Sequence, residues 1–332
     1  MTYKLVELQQ LAAKIESTEG TAISMSASDV QQVRNIKFTY GIPRYEKKTR
    51  RASFSKFNSV GGSRMGTIEF DMDLVGLGAS HALSGSEIFL QACGLANTSG
   101  GTNAQLYTAS SIWDYSSLST SKHKSLTIGG YIDGGLRKIC GARGNCVLSA
   151  KSGQPIIAKF TFTGALVDYS EATMLTSITY PVQQKTPPLF YNAAMSVGGS
   201  GGFATGELLV DTFELDFGNV VQMRADANSA TGYRSAAIVD RDARFKFDPE
   251  MVSISDHDFY AIWKAETTAA LSLSITGSND TAENKITITA PALQYEDVQD
   301  GERGQLWIKD IGAALRGSDA AGDDEFVIKL GT

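Results

Sequence analysis

The chain has 332 residues, of which 42% are hydrophobic and 33 are glycine. A single hydrophobic core stops growing near about 250–300 residues, so this length favours two domains, and the composition excludes a collagen, a coiled coil and a disordered chain. The 30 basic and 36 acidic residues give a net charge of −6, which disfavours a protein that holds nucleic acid tightly.

The cysteines and the apolar runs limit where the protein works. Cys93, Cys140 and Cys146 are an odd number without a CxxC spacing, which excludes a disulfide framework or a zinc site and predicts buried thiols in a reducing compartment. The first ten residues lack a basic region followed by an apolar core, and no apolar run approaches the ~18 residues that span a bilayer. We therefore expect a soluble, unsecreted protein without a membrane-spanning segment.

The chain repeats part of its pattern. Residues 36–74 match residues 213–251 without a gap, at an offset of 177 residues (213 − 36). Each segment predicts a strand, an arm rich in charge and glycine, and a second strand with period-2 alternation. The predicted strands are 36–40 and 67–74 in the first segment, and 213–217 and 243–248 in the second.

Two charges change sign together between the segments. Lys37 corresponds to Glu214, and Glu69 corresponds to Lys246. If the two strands of each segment are neighbours, each segment keeps one pair of opposite charges on its polar face. We therefore predict that strands 36–40 and 67–74 pair, as do 213–217 and 243–248; the alternative is that exposed charges vary freely and the exchange is a coincidence.

Each segment is followed by a short helix signal. Ser84 and Glu87 precede the apolar run 88–93, and Ser255 and Asp258 precede 259–263, which predicts two helices with serine caps. Farther along, three further matches are predicted: 125–128 with 285–288, Arg143-Gly144 with Arg303-Gly304, and the closing strands 158–163 with 325–330.

The repeated unit predicts a mainly β fold of two tandem antiparallel β-sandwich or half-barrel domains, each with one flanking short helix and a long hairpin arm. Three prolines and the run Gly198–Gly202 have the composition of a linker. The predicted organisation is domain 1 over residues 1–180 with an N-terminal segment 1–32, a linker over 181–206, and domain 2 over 207–332.

No motif assembles a catalytic, cofactor or metal site. The glycine-rich stretch 60–66 precedes a strand rather than a helix, and His81, His123 and His257 are far apart, which favours surface or helix-end histidines. The acidic stripe Glu69, Asp71 and Asp73 could hold a hard cation, or it could be a solvated or channel-facing stripe. We predict a protein that is not an enzyme and has no cofactor.

The only basic cluster, residues 44–51, begins the first arm (residues 44–65). It could be a nucleic-acid patch, but in an acidic chain it suits docking onto an acidic neighbouring subunit better. The second arm (residues 222–242) has a lower charge density, which predicts a different partner. The candidate residues for contacts between subunits are Arg44, Lys47, Lys48, Arg50, Arg51, Arg64, Arg224 and Arg234.

Over nearly its whole length the chain resembles the tail tube proteins of tailed bacteriophages, in the tandem-duplicated form of long-tailed phages. The stretches that carry the resemblance, in order, are 11–21, 33–39, 61–64, 91–94 and 141–144, then 215–219, 289–294 and 321–325. Each stretch is a weak motif, and their order gives the set its specificity.

The resemblance implies two tail-tube domains per chain, three chains in a pseudo-sixfold ring, and rings that stack into a hollow tube in the virion tail. It implies assembly in the host bacterial cytoplasm with a tape-measure protein, tail assembly chaperones, a tail terminator and distal tail or baseplate proteins. Double-stranded DNA would pass through the lumen without specific binding during ejection into the host cell. A polar, net-acidic lumen suits this passage, and the candidate lining residues are Glu69, Asp71, Asp73, Glu214 and Asp216.

Other classes stay open. The inner tube of a contractile tail or of a secretion apparatus uses the same fold, usually as a single domain. A head–tail joining protein, a tail terminator or a capsid decoration protein would form closed rings that do not elongate. The basic residues Arg244 and Lys246, if they face inward, would make the lining less acidic.

Overall fold

The computed structural model describes residues 5–50, 52–76, 85–101, 104–111, 123–178, 180, 186–198, 202–276 and 284–331. The described chain is mainly β with antiparallel pairing and two short helices, which confirms the predicted fold class. The helices are α1 (Ser86–Ala92) and α2 (Phe259–Lys264), and a 3-10 turn covers Ala27–Asp29. The strands are β1 (Gln9–Ile15), β2 (Val30–Gln31), β3 (Arg34–Gly41), β4 (Arg44–Tyr45), β5 (Val60–Gly61), β6 (Met65–Asp73), β7 (Leu95–Gly101), β8 (Ala104–Ala109), β9 (Leu126–Ile132), β10 (Gly135–Lys151), β11 (Ile157–Glu171), β12 (Ala194–Val197), β13 (Val210–Asp216), β14 (Asn219–Ala225), β15 (Tyr233–Arg241), β16 (Arg244–Pro249), β17 (Thr268–Thr276), β18 (Lys285–Arg303), β19 (Leu306–Arg316) and β20 (Val327–Gly331).

Eight strands form one continuous sheet, named here the central sheet, in the order β3–β6–β11–β10–β13–β16–β19–β18. Its first four strands belong to the first half of the chain (residues 5–178) and its last four to the second half (residues 186–331). The two halves join where β10 pairs with β13. The N-terminal parts of β10 and β18 also pair with β9 and β17, and through such further pairings the eight strands belong to a 16-stranded sheet.

One face of the central sheet packs against the core. Along β6, Ile68, Phe70 and Met72 are buried while the residues between them are half-buried, as the period-2 alternation predicts. The Phe70 ring lies 4.8 Å from the ring of Phe89 on α1, measured between centroids. The two rings pack edge to face, and this contact holds the helix against the core. One hydrophobic cluster contains residues of both halves, and the division into two domains stays a prediction.

The strand pairing corrects the later part of the predicted repeat. β11 pairs with β6 and β10, and β19 pairs with β16 and β18, so β11 and β19 hold the same place in the two halves. The predicted match of 158–163 (β11) with 325–330 (β20) is therefore wrong. The match of 125–128 (β9) with 285–288 (β18) is wrong as well, because β9 takes the place of β17. Alternating strands look alike in sequence whatever their place in the sheet.

Arg143 and Arg303 are also not equivalent. Arg143 lies in the middle of β10 with a fully buried side chain, whereas Arg303 ends β18 at a turn. Arg303 there bridges Asp248 at 3.0 Å and Glu250 at 2.9 Å. The shared Arg-Gly pair is therefore not a shared structural feature.

Both predicted helices are present, but their caps differ from the prediction. The N-cap of α1 is Gly85, and Ser84 lies outside the described residues. The N-cap of α2 is Asp258 rather than Ser255, and its carboxylate accepts the Ala261 N–H at 2.9 Å. Asp258 stands directly before the helix, where a carboxylate reaches an otherwise unpaired amide.

Candidate functional site

The face of the central sheet that points away from the core is named here the polar face. Asp71 on β6 faces Lys159 on β11, which faces Val147 on β10. Val147 in turn faces Asp216 on β13, so Asp71 and Asp216 share one row across four strands. Because side chains alternate along a strand, Glu69, Asp73 and Glu214 point to the same side. The register thus brings the five candidate lining residues together on one face.

Basic side chains lie beside the carboxylates of the polar face. Asp73 accepts from Arg34 at 2.6 Å, and Lys159 stands beside Asp71 in the sheet. In the second half, Arg244 and Lys246 lie on the same face as Glu214 and Asp216, because Glu214 faces Lys246 and Asp216 faces Arg244. The face is therefore densely charged with both signs rather than uniformly acidic.

The charge exchange between the halves is a cross-strand arrangement. Lys37 faces Glu69 across β3 and β6, with Nζ and Oε2 3.5 Å apart. Glu214 faces Lys246 across β13 and β16, with 3.6 Å between Oε1 and Nζ. The predicted pairing of strands 36–40 with 67–74, and of 213–217 with 243–248, is confirmed.

The second arm is a hairpin of β14 and β15 that packs on β10 and β11 of the first half. Glu19, from the N-terminal segment, holds it there. One oxygen of its carboxylate accepts from Ser235 at 2.6 Å and Arg224 at 3.1 Å on the hairpin, and from Arg143 at 2.8 Å on β10. Three parts of the chain thus meet at one carboxylate.

Burial and charge oppose each other at this carboxylate. Burial raises the pKa of Glu19, but the hydrogen bonds from Ser235 and Arg143 and the charges of Arg143 and Arg224 bring it below its ordinary value. Burial lowers the pKa of Arg143, whose side chain is fully buried, and Glu19 opposes this change. The pair therefore stabilises the arm as long as both groups are charged.

A second acidic residue of the N-terminal segment is almost fully buried. The Glu16 carboxylate accepts from the N–H groups of Gly20 (2.8 Å) and Gly141 (2.7 Å) and from the hydroxyls of Ser125 (2.7 Å) and Thr127 (2.9 Å). Burial is the strongest influence and raises the pKa of Glu16 despite these four donors. This carboxylate ties the N-terminal segment to β9 and β10.

The base of the second arm binds a surface of the first half formed by Cys93, Gly94 and Gly144, named here the arm-binding surface. Arg241 Nη2 donates to the carbonyl oxygen of Gly94 at 2.9 Å. The Asn219 amide donates to the carbonyl oxygens of Cys93 at 2.7 Å and Gly144 at 3.1 Å. The hairpin is therefore held to the end of α1 and to β10 by polar contacts with main-chain carbonyls.

The candidate contact residues of the second arm bind within the chain, whereas most of those of the first arm are exposed. Arg224 and Arg234 of the second arm bind within the chain, Arg224 to Glu19 and Arg234 to Asp226 at 3.9 Å. In the first arm Lys47 lies 5.4 Å from the centroid of the Phe57 ring. The remaining described candidates have exposed side chains; they are Arg44, Lys48, Arg50 and Arg64, while Arg51 lies outside the described residues.

Sequence reasoning missed the residues that bind the second arm. Nothing in the spacing of Glu16 or Glu19 marks them as buried, because their partners are distant in the chain. Arg241 did carry a signal, since it stands 177 residues after Arg64 within the repeat. His123 was predicted at the surface or at a helix end, but its side chain is 3% exposed and lies outside the two helices: it contacts the Ser110 carbonyl oxygen, and burial lowers its pKa. His81 lies outside the described residues.

The three cysteines are buried and unpaired, which confirms their prediction as buried thiols. Across the described ranges, no group of three or more His, Cys, Asp or Glu residues could hold a metal ion. None of the helices in these ranges is both long and apolar enough to cross a membrane.

A family model described as phage tail tube protein matches residues 7–306, which is nearly the whole chain. A search of curated proteins found no match.

Proposed function

The chain belongs to the phage tail tube protein family, and we propose that three copies of it form each ring of the tail tube. Its role is structural: it is a component of the virion tail that self-assembles into a tube with other tail proteins. The single observation that carries the proposed ring is the pairing of β10 with β13, which joins two similar half-sheets inside one chain and leaves β3 and residues 298–303 of β18 at the ends of the central sheet.

The two end strands of the central sheet have free edges that suit each other. Among the described residues, β3 pairs with β6 alone, and residues 298–303 of β18 pair with β19 alone. Exposed strand edges pair readily with strands of other chains, and closing a ring removes them. We propose that β3 of one subunit pairs with β18 of the next.

Differences in burial between the halves support this pairing. Phe213, Leu215 and Phe217 are fully buried, and β13 is covered by β10. Their equivalents 177 residues earlier are Ile36 and Phe38, which are half-buried, and Tyr40, which is 38% exposed. A neighbouring subunit on β3 would bury them as β10 buries β13. The gain would be about 25 cal/mol for each square ångström of apolar surface covered.

The register inside the chain predicts the register between subunits. Cross-strand pairing leads from Glu69 on β6 through β11 to Asn145 on β10. In the same way it leads from Lys246 on β16 through β19 to Asp297 on β18. Since Glu69 and Lys246 are equivalent, Asn145 and Asp297 are equivalent as well.

Counting on from these positions, the observed pair Val147–Asp216 corresponds to Gln299 and Thr39 of adjacent subunits. Cross-strand neighbours have Cα atoms about 4.5–5.5 Å apart, a distance that a disulfide can bridge. The predicted register therefore gives a direct test.

We therefore test the ring by cross-linking. The double variant Thr39→Cys, Gln299→Cys should form disulfide-linked trimers in assembled particles, seen on non-reducing gels and counted by native mass spectrometry. The buried native cysteines leave the wild type and each single variant as controls. Assembled particles without cross-links, or cross-linked rings of another subunit number, would contradict the proposal.

The polar face is our proposal for the wall of the channel, with Glu69, Asp71, Asp73, Glu214 and Asp216 among its lining residues. Among the described residues its basic side chains stand beside carboxylates, which disfavours tight binding of DNA. We propose that the tube carries the genome into the host cell and is built in the host cytoplasm around a tape-measure protein, with chaperones, a terminator and distal tail proteins. Negative-stain electron microscopy tests elongation: hollow tubes support it, whereas rings that never stack indicate a joining protein.

A further inference from the structure

The second half carries an open groove between α2 and β18, of about 520 Å³. We name it the α2 groove. Its aromatic wall is formed by Tyr260, which is 62% exposed, and Trp263, whose ring centroid lies 5.9 Å from that of Tyr260. The other lining residues are Lys264, Glu266, Gln294, Tyr295 and Glu296.

The α2 groove occupies the place of the arm-binding surface in the other half. After α1 the chain turns through Gly94 at a φ of +80°, and after α2 it turns through Glu266 at a φ of +52°. Asn145 is equivalent to Asp297, and the residues directly before them are Gly144, at the arm-binding surface, and Glu296, which lies at a β-bulge of β18 and lines the groove. The end of a helix and the same stretch of strand thus form both surfaces, one covered by the second arm and one open.

The first arm has the residues to fill such a surface. Arg64 stands 177 residues before Arg241, the residue that binds the Gly94 carbonyl. Arg241 is half-buried, whereas Arg64 is exposed. Val60 is 67% exposed, while its equivalent in the second arm, Ala237, is 3% exposed. The first arm is therefore exposed at the positions where the second arm is covered.

We propose that the α2 groove binds the base of the first arm from the adjacent subunit, with Arg64 paired to Glu266. This rests on the proposed ring, because pairing β3 with β18 of the next subunit brings that arm to that groove. A Cβ on Gly94 would lie 2.7 Å from Nη2 of Arg241, so a side chain at this position points directly at the guanidinium. In the second half that side chain is the Glu266 carboxylate, which is complementary to an arginine.

The aromatic wall adds to this contact. An arginine within about 6 Å of a tyrosine or tryptophan ring is attracted by the ring, more strongly once water is excluded. Arg64 at the position of Arg241 would lie beside the Glu266 carboxylate, in a groove that the exposed ring of Tyr260 also lines. The groove thus offers charge and ring contacts where the arm-binding surface offers main-chain carbonyls, so the two arms would not exchange places.

Charge reversal tests the pair. Arg64→Glu and Glu266→Arg should each weaken subunit association in sedimentation about tenfold or more, because each places like charges together. The double variant Arg64→Glu, Glu266→Arg should restore it. As a control, Arg50→Glu in the same arm should gain nothing from Glu266→Arg. All three side chains are exposed, so the monomers should keep their β signal in circular dichroism.

The Thr39–Gln299 cross-link separates this proposal from the ring. If that cross-link forms but charge reversal has no effect, or the double variant does not restore association, the arm does not bind the α2 groove while the ring stands. If the wild-type protein forms no assembly and the Thr39→Cys, Gln299→Cys variant forms no cross-link, both proposals are overturned. The groove contact is supported only if both single variants weaken association and the double variant Arg64→Glu, Glu266→Arg restores it.

Discussion

Lys37 and Glu69 face each other on the polar face, and 177 residues later Glu214 and Lys246 repeat the contact with the charges exchanged. A pair that reverses both signs keeps its attraction, so the contact itself is retained. Cross-strand pairs of opposite charge are worth about 0.2–1 kcal/mol, and like charges directly opposite each other destabilise a sheet.

We expect Lys37→Glu to lower the free energy of unfolding by about 0.5–1 kcal/mol, because it places two carboxylates opposite each other. Lys37→Glu combined with Glu69→Lys should recover most of that loss, since it recreates the arrangement of the second half. Urea unfolding of the four proteins in this cycle, at low and high salt, measures the coupling. A double variant that is less stable than Lys37→Glu would refute the pairing.

The pairing of these strands could be predicted from the sequence, whereas the attachment of the second arm could not. The strands near the arms could be predicted because alternation and a gapless repeat are local patterns, and the exchanged charges fixed which strands are neighbours. The predicted match of 158–163 with 325–330 was wrong, because β20 has the same alternation of apolar and polar residues as β11 but another place in the sheet. The burial of Glu19 and Arg143 could not be predicted, because it depends on a hairpin that is distant in the chain: Ser235 lies 216 residues after Glu19, and Ala236 lies 93 residues after Arg143.

Glu19→Gln should weaken the attachment of the second arm. It removes the charge partner of the fully buried Arg143, and breaking such a pair costs about 3–5 kcal/mol. Urea unfolding at pH 7 measures the loss, with Glu7→Gln at an exposed position of the same segment as the control. Equal stability of the two variants would show that the Glu19 charge is not needed.

The same pair predicts a dependence on pH. The pKa of Glu19 lies below its ordinary value of 4.5 in the folded protein, so its contribution is present above that value and is lost as the pH falls through the folded-state pKa. The stability difference between wild type and Glu19→Gln should therefore narrow below pH 4.5. Both proteins retain Glu16, whose raised pKa acts in the opposite direction, so the difference isolates Glu19. A gap that stays constant down to acid unfolding would contradict this assignment.

The mixed charge of the polar face predicts how assembled tubes treat DNA. Asp71→Lys combined with Asp216→Lys changes the charge of each subunit by +4 and leaves Lys159 and Arg244 beside new lysines. Such tubes should retain duplex DNA in a co-sedimentation assay, and the retention should fall steeply with salt as counterions compete. The control is Glu7→Lys with Asp256→Lys, which makes the same change at exposed residues elsewhere. Equal retention by both variants would place these aspartates outside the channel.

Gly141 sits on β10 beneath the second arm and should tolerate no side chain. Its φ is +59°, and a Cβ there would lie 2.7 Å from the Cα of Ser235 on β15. Gly134 has a similar φ of +79°, but a Cβ there would meet no atom within 4 Å. Gly134→Ala should therefore cost only the backbone strain of about 1–2 kcal/mol. Gly141→Ala should cost at least about 2 kcal/mol more, because the hairpin must also move away from β10.

Urea unfolding measures both losses, and limited proteolysis should cut the second arm faster in Gly141→Ala alone. Equal losses with unchanged cleavage would mean that the hairpin is not held against β10 in solution.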